Sequence, residues 1–241
     1  MKILITNDDG IYASGLIPLA QWAKKLGDVT VIAPKVEQSG KSHGIEIHKA
    51  FEVKKVDLTP GVTAYALDST PADCIRYAIL GLQEHFDLVI SGINRGLNIG
   101  SDIMYSGTVG AIFEAEALGV PGIALSTSPA HYEHAVEQLD EVFDFIDAHK
   151  LMDKCSIYNI NIPANHQGIL ITRQGGPYYS DDFIPQENDM VLPRGKDVFQ
   201  RAGTMERDTD AVLTGHYISI MPLTNNRANM DVYRELIKLN P

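Results

Sequence analysis

The chain has 241 residues, with 20 Lys+Arg against 31 Asp+Glu for a formal net charge of −11, and 44% of it is apolar. That balance excludes a disordered chain, a collagen-like repeat and a disulfide scaffold, and it argues against extended nucleic acid, whose phosphates are held by clustered Lys and Arg. A small anionic ligand remains open wherever a metal ion or free backbone N–H groups supply a local positive field. No apolar run approaches the roughly 18 residues that span a membrane. Ile3-Leu4-Ile5 before Asp8-Asp9 is too short for a secretory h-region. The two cysteines, Cys74 and Cys155, lack metal-ligand spacing and read as buried reduced thiols in a cytoplasmic protein.

Short β-rich runs alternate with helical patterns along the first two-thirds. Residues 2–6 (KILIT) read as a buried strand. Leu16, Leu19, Ala20, Ala23 and Leu26 recur at helical spacing, and Gly27 stands at the C′ position. Residues 29–33 form a second buried strand. Thr70-Pro71-Ala72-Asp73 opens a helix with a Thr N-cap, Pro at N1 and an acid at N3. Residues 87–91 are another strand, followed by a glycine-rich loop, a helix over 108–118 and a strand over 120–126. A long helix then buries Ala135, Leu139, Val142, Phe143 and Ile146. Alternating strands and helices predict an α/β fold, a mostly parallel sheet with helices on both faces. Residues 176–208 are aperiodic and rich in Pro, Gly and acids, and read as an extended arm or hairpin. A strand over 216–221 and a terminal helix near 231–239 close the chain. The expected organisation is one domain, with an α/β core over 1–175 and a C-terminal arm, strand and helix over 176–241. There are no internal repeats and no low-complexity tract.

Three constellations carry chemistry. Thr6-Asn7-Asp8-Asp9-Gly10 lies at the carboxyl end of the first strand, where doubly wound sheets bind their ligands. Asp-Gly suits a type I′ hairpin turn, but the next segment has helical periodicity. Two adjacent carboxylates repel, and a hard divalent cation with oxygen ligands compensates them most simply. Gln38-Ser39-Gly40-Lys41-Ser42 follows the second strand. It is not a P-loop, because Lys35 stands where the first glycine is required. A plain surface turn is the simpler reading, although the loop lies close enough to reach Asp8 and Asp9. The run from Ser91 to Gly100 and the run from Tyr105 to Gly110 are dense in Gly, Asn and hydroxyls. Glycines let backbone approach a ligand, and Ser106-Gly107-Thr108 opens a helix whose free N–H groups suit a phosphate, with helix capping a compatible role. His131 and His134 read as a polar helix end, and His43 and His48 carry no informative spacing. Asp8-Asp9 is an adjacent pair, unlike the DxD of aspartyl-phosphate enzymes, which counts against a covalent phospho-aspartate route.

Taken together, residues 3–10 (ILITNDDG), Ala33-Pro34 with Gln38-Ser39-Gly40, residues 70–74 (TPADC), residues 91–94 (SGIN), residues 105–110 (YSGTVG), residues 193–195 (PRG) and residues 217–223 (YISIMPL) resemble the SurE family of survival proteins. These are metal-dependent 5′-nucleotidases acting on nucleoside monophosphates. The resemblance runs over nearly the whole chain. It implies a Rossmann-like fold, one divalent metal per subunit (Mg²⁺ or Mn²⁺) on Asp8, Asp9, Ser39 and Asn94, and a phosphate held by Asn98, Ser106, Gly107 and Thr108. Asp8, Asp9 and Asn98 are then the candidate catalytic residues. It also implies a homodimer or homotetramer that exchanges the C-terminal arm. Departures from the family pattern fall at Glu46, Ser69, Ala115 and Asn225-Asn226, outside the implied ligands, and Glu46 is the one able to alter the pocket's charge. The expected reaction is hydrolysis of nucleoside 5′-monophosphates, the alternative being a non-hydrolytic metal-dependent nucleotide-binding protein.

Overall fold

The computed structural model describes residues 1–129 and 131–240. Side-chain alternation in β1 (Lys2–Thr6) decides the layering. Ile3 and Ile5 join one apolar cluster and Leu4 the other, because successive strand residues point to opposite faces. The remaining strands are β2 (Asp28–Pro34), β3 (Val53–Val56), β4 (Thr63–Leu67), β5 (Leu88–Arg95), β6 (Gly122–Thr127), β7 (Ile157–Ile162), β8 (Ile169–Ile171), β9 (Tyr179–Pro185), β10 (Val191–Asp197) and β11 (Ile218–Pro222). Nine of them form one sheet in the order β3-β4-β2-β1-β5-β6-β7-β11-β8. The six strands from β4 to β7 are mutually parallel, whereas β3 and β11 run antiparallel to β4 and β7. The expected mostly parallel α/β sheet is thus observed, with antiparallel additions at its margins.

Helices α1 (Leu16–Ala23), α2 (Pro71–Arg76), α3 (Gly107–Ala117), α4 (Tyr132–Glu137), α5 (Leu139–Ala148), α6 (Asp208–Leu213) and α7 (Met230–Leu236) complete the chain. On one face Trp22 of α1 and Leu139, Val142 and Phe143 of α5 pack on Ile3, Ile5, Ile90 and Leu125. The Trp22 and Phe143 rings lie 4.6 Å apart, and Trp22 Nε1–H donates to Asp140 Oδ1 over 2.7 Å. On the other face Cys74, Ile75, Ala111 and Ala115 of α2 and α3 cover Leu4, Ile32 and Val89. Thr70 caps α2 as expected, its Oγ1 accepting the Asp73 N–H over 3.1 Å.

Several expectations change in detail. The single long helix expected over Ala135–Ile146 is two helices meeting at Gln138, although all five apolar residues assigned to it are buried. Cys74 is buried, but Cys155 is only half-buried; both are free thiols. Within 176–241, β11 inserts between β7 and β8, and α6 buries Ala211 and Val212. The β9–β10 hairpin projects, with every residue of β10 exposed, and no residue of α7 is buried. Among the described residues no helix is long and apolar enough to cross a membrane.

Thr70→Ala removes the α2 cap and is expected to lower stability by about 1 kcal/mol in urea unfolding. An unchanged midpoint and slope would show that the cap is dispensable.

Candidate functional site

The chain winds from β1 outward to β2 and β4, then crosses to the opposite side of β1 to form β5. The order therefore reverses between β1 and β5, and the crevice beyond their carboxyl ends is where such sheets bind ligands. Asp8 and Asp9 leave β1 at that point, and Asn94 and Arg95 end β5. Asn7 shapes the turn: its Nδ2–H donates to the Gly10 carbonyl over 2.9 Å and its Oδ1 accepts the Gly10 N–H over 3.2 Å. Gly10 has φ +104, a conformation that side chains rarely adopt. The segment continues into α1, so no hairpin forms there.

Asp8 is 4% exposed. Its Oδ1 accepts from Thr108 Oγ1 over 2.5 Å. Gly107 makes this approach possible, since a β-carbon there would lie 2.9 Å from Asp8 Cβ and 3.0 Å from Oδ2. Ser106 caps α3 by accepting the Val109 N–H over 3.1 Å. Burial pushes the Asp8 carboxyl above its ordinary pKa, opposed by the Thr108 hydroxyl and by the backbone N–H groups of Asp8, Thr108 and Gly107. Asp9 accepts the Arg95 N–H at Oδ2 over 2.9 Å. Burial raises its pKa too, and the negative charges of Asp8 and Glu37 add to that against the Arg95 N–H and guanidinium. Nearby Tyr132 is pushed up to about 12, first by burial and then by Asp9. A cleft of about 140 Å³ lined by Asp9, Tyr12, Glu37, Arg95 and Tyr132 opens beside the pair.

A bulge in β5 re-aims its end. The pairing with β6 slips between Ser91 and Asn94, and Gly92 there has φ +144 with the Leu125 carbonyl against its Cα. Asn94 Nδ2–H donates to the Gly96 carbonyl over 2.8 Å, which leaves its Oδ1 for another partner. The loop bearing Ser39 reaches the pair through the Gln38 N–H, which donates to the Asp8 carbonyl over 2.7 Å. Ser39 Oγ itself donates to Glu37 Oε1 over 2.8 Å. The same loop is anchored on α3 by His43 Nε2, 2.6 Å from Glu114 Oε2, while Arg76 holds Oε1 over 2.9 Å. His43 thus buttresses the loop and lies outside the acidic pair. Glu46 accepts the His48 and Lys49 N–H groups, so it closes a local turn and bonds nothing in the pair.

Asn98 is fixed by residues absent from the expected set. Its N–H donates to Asn161 Oδ1 over 2.8 Å, its carbonyl accepts from Asn159 and Asn161 Nδ2 over 2.7 and 2.8 Å, and its Nδ2–H donates to Ser126 Oγ over 2.8 Å. Two amides spaced by two residues in the otherwise apolar run 157–162 (IYNINI) are the signal that could have found them.

Two carboxylates, with the neutral oxygens that Asn94 at the end of β5 and Ser39 next to Gln38 carry, are the donor chemistry of a hard divalent cation. Among the described residues no group of three or more His, Cys, Asp or Glu side chains could hold a metal. A cation here would therefore rest on two carboxylates and neutral oxygens. The buried Ser91 Oγ, next to Thr6 in register, has no hydrogen-bond partner among the described residues.

The model of the family described as Survival protein SurE matches residues 3–181, which span the acidic pair and the start of α3. The chain belongs to the SurE family. Relatives include the 5′-nucleotidase SurE of Thermoanaerobacter sp. (strain X514), 40% identical over 92% of each chain. The 5′-nucleotidase SurE of Legionella pneumophila is 35% identical over 99% of this chain and 97% of its own. A crystal structure of the SurE protein from Aquifex aeolicus superposes with a TM-score of 0.79 at 29% identity, covering 99% of both chains. The SurE fold here therefore includes the switch-point crevice as well as the sheet.

Folding raises the Asp8 and Asp9 carboxyls above their unfolded values, so the native chain binds more protons in the interval between. Without metal, stability is then fully present below about pH 4 with respect to these groups and falls as pH rises through the folded values. In EDTA at pH 7, Asp8→Asn is expected to melt above the wild type and to lose much of this pH dependence by calorimetry. An equal or lower Tm contradicts the assigned cost of burying the charge.

Proposed function

We propose that this SurE-family chain is a divalent-metal-dependent phosphomonoesterase that hydrolyses nucleoside 5′-monophosphates to nucleoside and inorganic phosphate. One observation carries the reading: an adjacent carboxylate pair at the switch point of the sheet, with Asp8 held against the N-terminus of an eleven-residue helix. The relatives named 5′-nucleotidase support the substrate class.

Mg²⁺ or Mn²⁺ held by Asp8, Asp9, Ser39 and Asn94 would supply Lewis acidity toward both phosphate and water. The chain's own residues do the rest. The capped start of α3 (Ser106, Gly107 and Thr108) binds phosphate oxygens through the helix dipole and through the Gly107 and Thr108 N–H groups that it shares with Asp8. Asn98 binds the same phosphate through its side-chain amide. Asp9, the less buried of the two carboxylates, orients the attacking water and accepts its proton, and the 5′-oxygen released as the P–O bond breaks takes a proton from solvent water to leave as the nucleoside. Arg95 N–H holds the Asp9 carboxylate in place throughout.

The same proposal extends to assembly. Phe183, Met190, Val191 and Leu192 of the hairpin are exposed, as are Val232, Tyr233 and Leu236 of α7. A lone hairpin with apolar side chains in water is marginal, and burial against a second copy supplies the missing contacts. The arm is therefore the exchanged element of a homodimer or homotetramer.

Phosphate release from AMP and GMP is expected with Mg²⁺ or Mn²⁺, to stop in EDTA and to return on adding metal back. Asp9→Asn should fold and lose roughly 10²-fold or more in kcat; a folded, fully active Asp9→Asn protein rejects the assignment. Nucleotide binding with no release under saturating metal favours the non-hydrolytic alternative. Tyr178 and Val198 are already hydrogen-bonded across the hairpin base over 3.0 Å. Replacing residues 179–197 by a short glycine linker should therefore leave the core folded and reduce the oligomer by light scattering. An unchanged oligomer rejects arm exchange.

A further inference from the structure

Strand β7 is buried along its whole length, yet two of its six residues are asparagine. Asn159 and Asn161 are 0% exposed and share the face of the sheet that α3 covers, along with Ile157. Buried amides cost stability that Val or Ile at these positions would not, so the sheet itself gives no reason for them. Their hydrogen bonds supply one. The Asn161 amide takes both the N–H and the carbonyl of Asn98, and Asn159 Nδ2 gives that carbonyl a second donor. Ser126 pairs with Asn161 in register on the neighbouring strand and receives the Asn98 side chain. Asn159 Oδ1 is buried without a hydrogen-bond partner among the described residues, so this amide is satisfied only on the side that meets Asn98.

The rest of the loop is pinned in the same manner. Gly96 N–H donates to the Thr127 carbonyl over 2.9 Å, and Gly100 N–H to Asp208 Oδ2 over 2.8 Å. Between these two anchors Asn98 receives its backbone contacts from β7 and its side-chain contact from β6. With Ser126 occupying one Nδ2–H, the Asn98 side chain keeps its second N–H and its Oδ1.

We infer that Asn159 and Asn161, with Ser126, are positioning residues that hold Asn98 in the geometry with which it binds phosphate. The inference rests on the reading of Asn98 as a phosphate contact and not on hydrolysis itself. Fixing a polar contact from a rigid strand removes the ordering cost that a free glycine-rich loop would meet on binding.

The test measures inorganic phosphate affinity by calorimetry with saturating Mg²⁺ or Mn²⁺, alongside kcat and KM for AMP, on the full-length protein. Asn161→Leu, Asn161→Ser and Ser126→Ala are each expected to weaken phosphate binding, by about tenfold for Asn161→Leu. Asn98→Ala weakens it as well, and adding Asn161→Leu to Asn98→Ala should change affinity by less than about twofold, because residues acting through one side chain are not additive. If Asn161→Leu does not fold, Asn161→Ser and Ser126→Ala carry the same cycle. The inference is overturned if phosphate affinity is unchanged in these variants. It is equally overturned if the Asn161 effect persists in full in the Asn98→Ala background, which marks a purely structural role, or if Asn98→Ala binds phosphate normally. A wild type that binds phosphate through this cycle but releases none from AMP sinks the hydrolase reading and leaves the positioning intact.

Discussion

The Asp8 carboxylate sits almost wholly out of water against the first turn of α3, where the Thr108 hydroxyl donates to it over 2.5 Å. Much else at the carboxyl edge of the sheet follows from this contact. The contact sets how closely α3 approaches β1, which requires glycine at 107. It places the capped, electropositive end of α3 at a carboxylate that burial makes costly to ionise. The second close approach on α3 is at Gly110, where a β-carbon would overlap the Ser42 carbonyl, so the loop carrying Ser39 lies directly on the helix. His43 and Arg76 on Glu114 keep that loop and α2 attached to the same helix.

The α3-facing side of the sheet changes character along its strands. Leu4, Val89 and Ile157 are apolar at the strand bases, whereas Thr6, Ser91, Ser126, Asn161 and Ser219 are polar toward the crevice, and all are buried. Ser126, Asn161 and Ser219 lie side by side in register, with Ser219 continuing to Thr172 through a 2.7 Å hydrogen bond. Buried polar groups are less stabilising than the apolar residues found on the opposite face, and their concentration next to the acidic pair is what a site built for charge requires. Stability is thereby traded for preorganisation at one edge, while the apolar faces hold the sheet together.

Parallel strands buried on both faces read as continuous apolar runs, which is why β1, β2, β5 and β6 were legible in sequence. The Thr70 cap and the Ser106 helix start were legible because capping chemistry is local. The acidic pair was legible as a strand-end feature. Its placement at the point where strand order reverses depends on topology that only the fold displays. Asn159 and Asn161 were missed because their role is defined by a loop some sixty residues away in sequence, which the 61 and 63 residue separations to Asn98 make plain. Helix α6 was missed for a different reason: six residues carry no periodic signal, and its start is arranged by Asp208 and Asp210 bonding loop N–H groups of Gly100, Gly175, Ala202 and Gly203. The break at Gln138 was invisible because the apolar spacing continues through it.

On the proposed reading, Asp8 and Asp9 form a cation site coupled to a phosphate cradle at α3. Titrating the full-length protein with Mn²⁺ by electron paramagnetic resonance, with and without inorganic phosphate, tests it most directly. One Mn²⁺ per chain, bound more tightly when phosphate is present and lost in both Asp8→Asn and Asp9→Asn, is the predicted result. Unchanged Mn²⁺ binding in those two folded variants would contradict it.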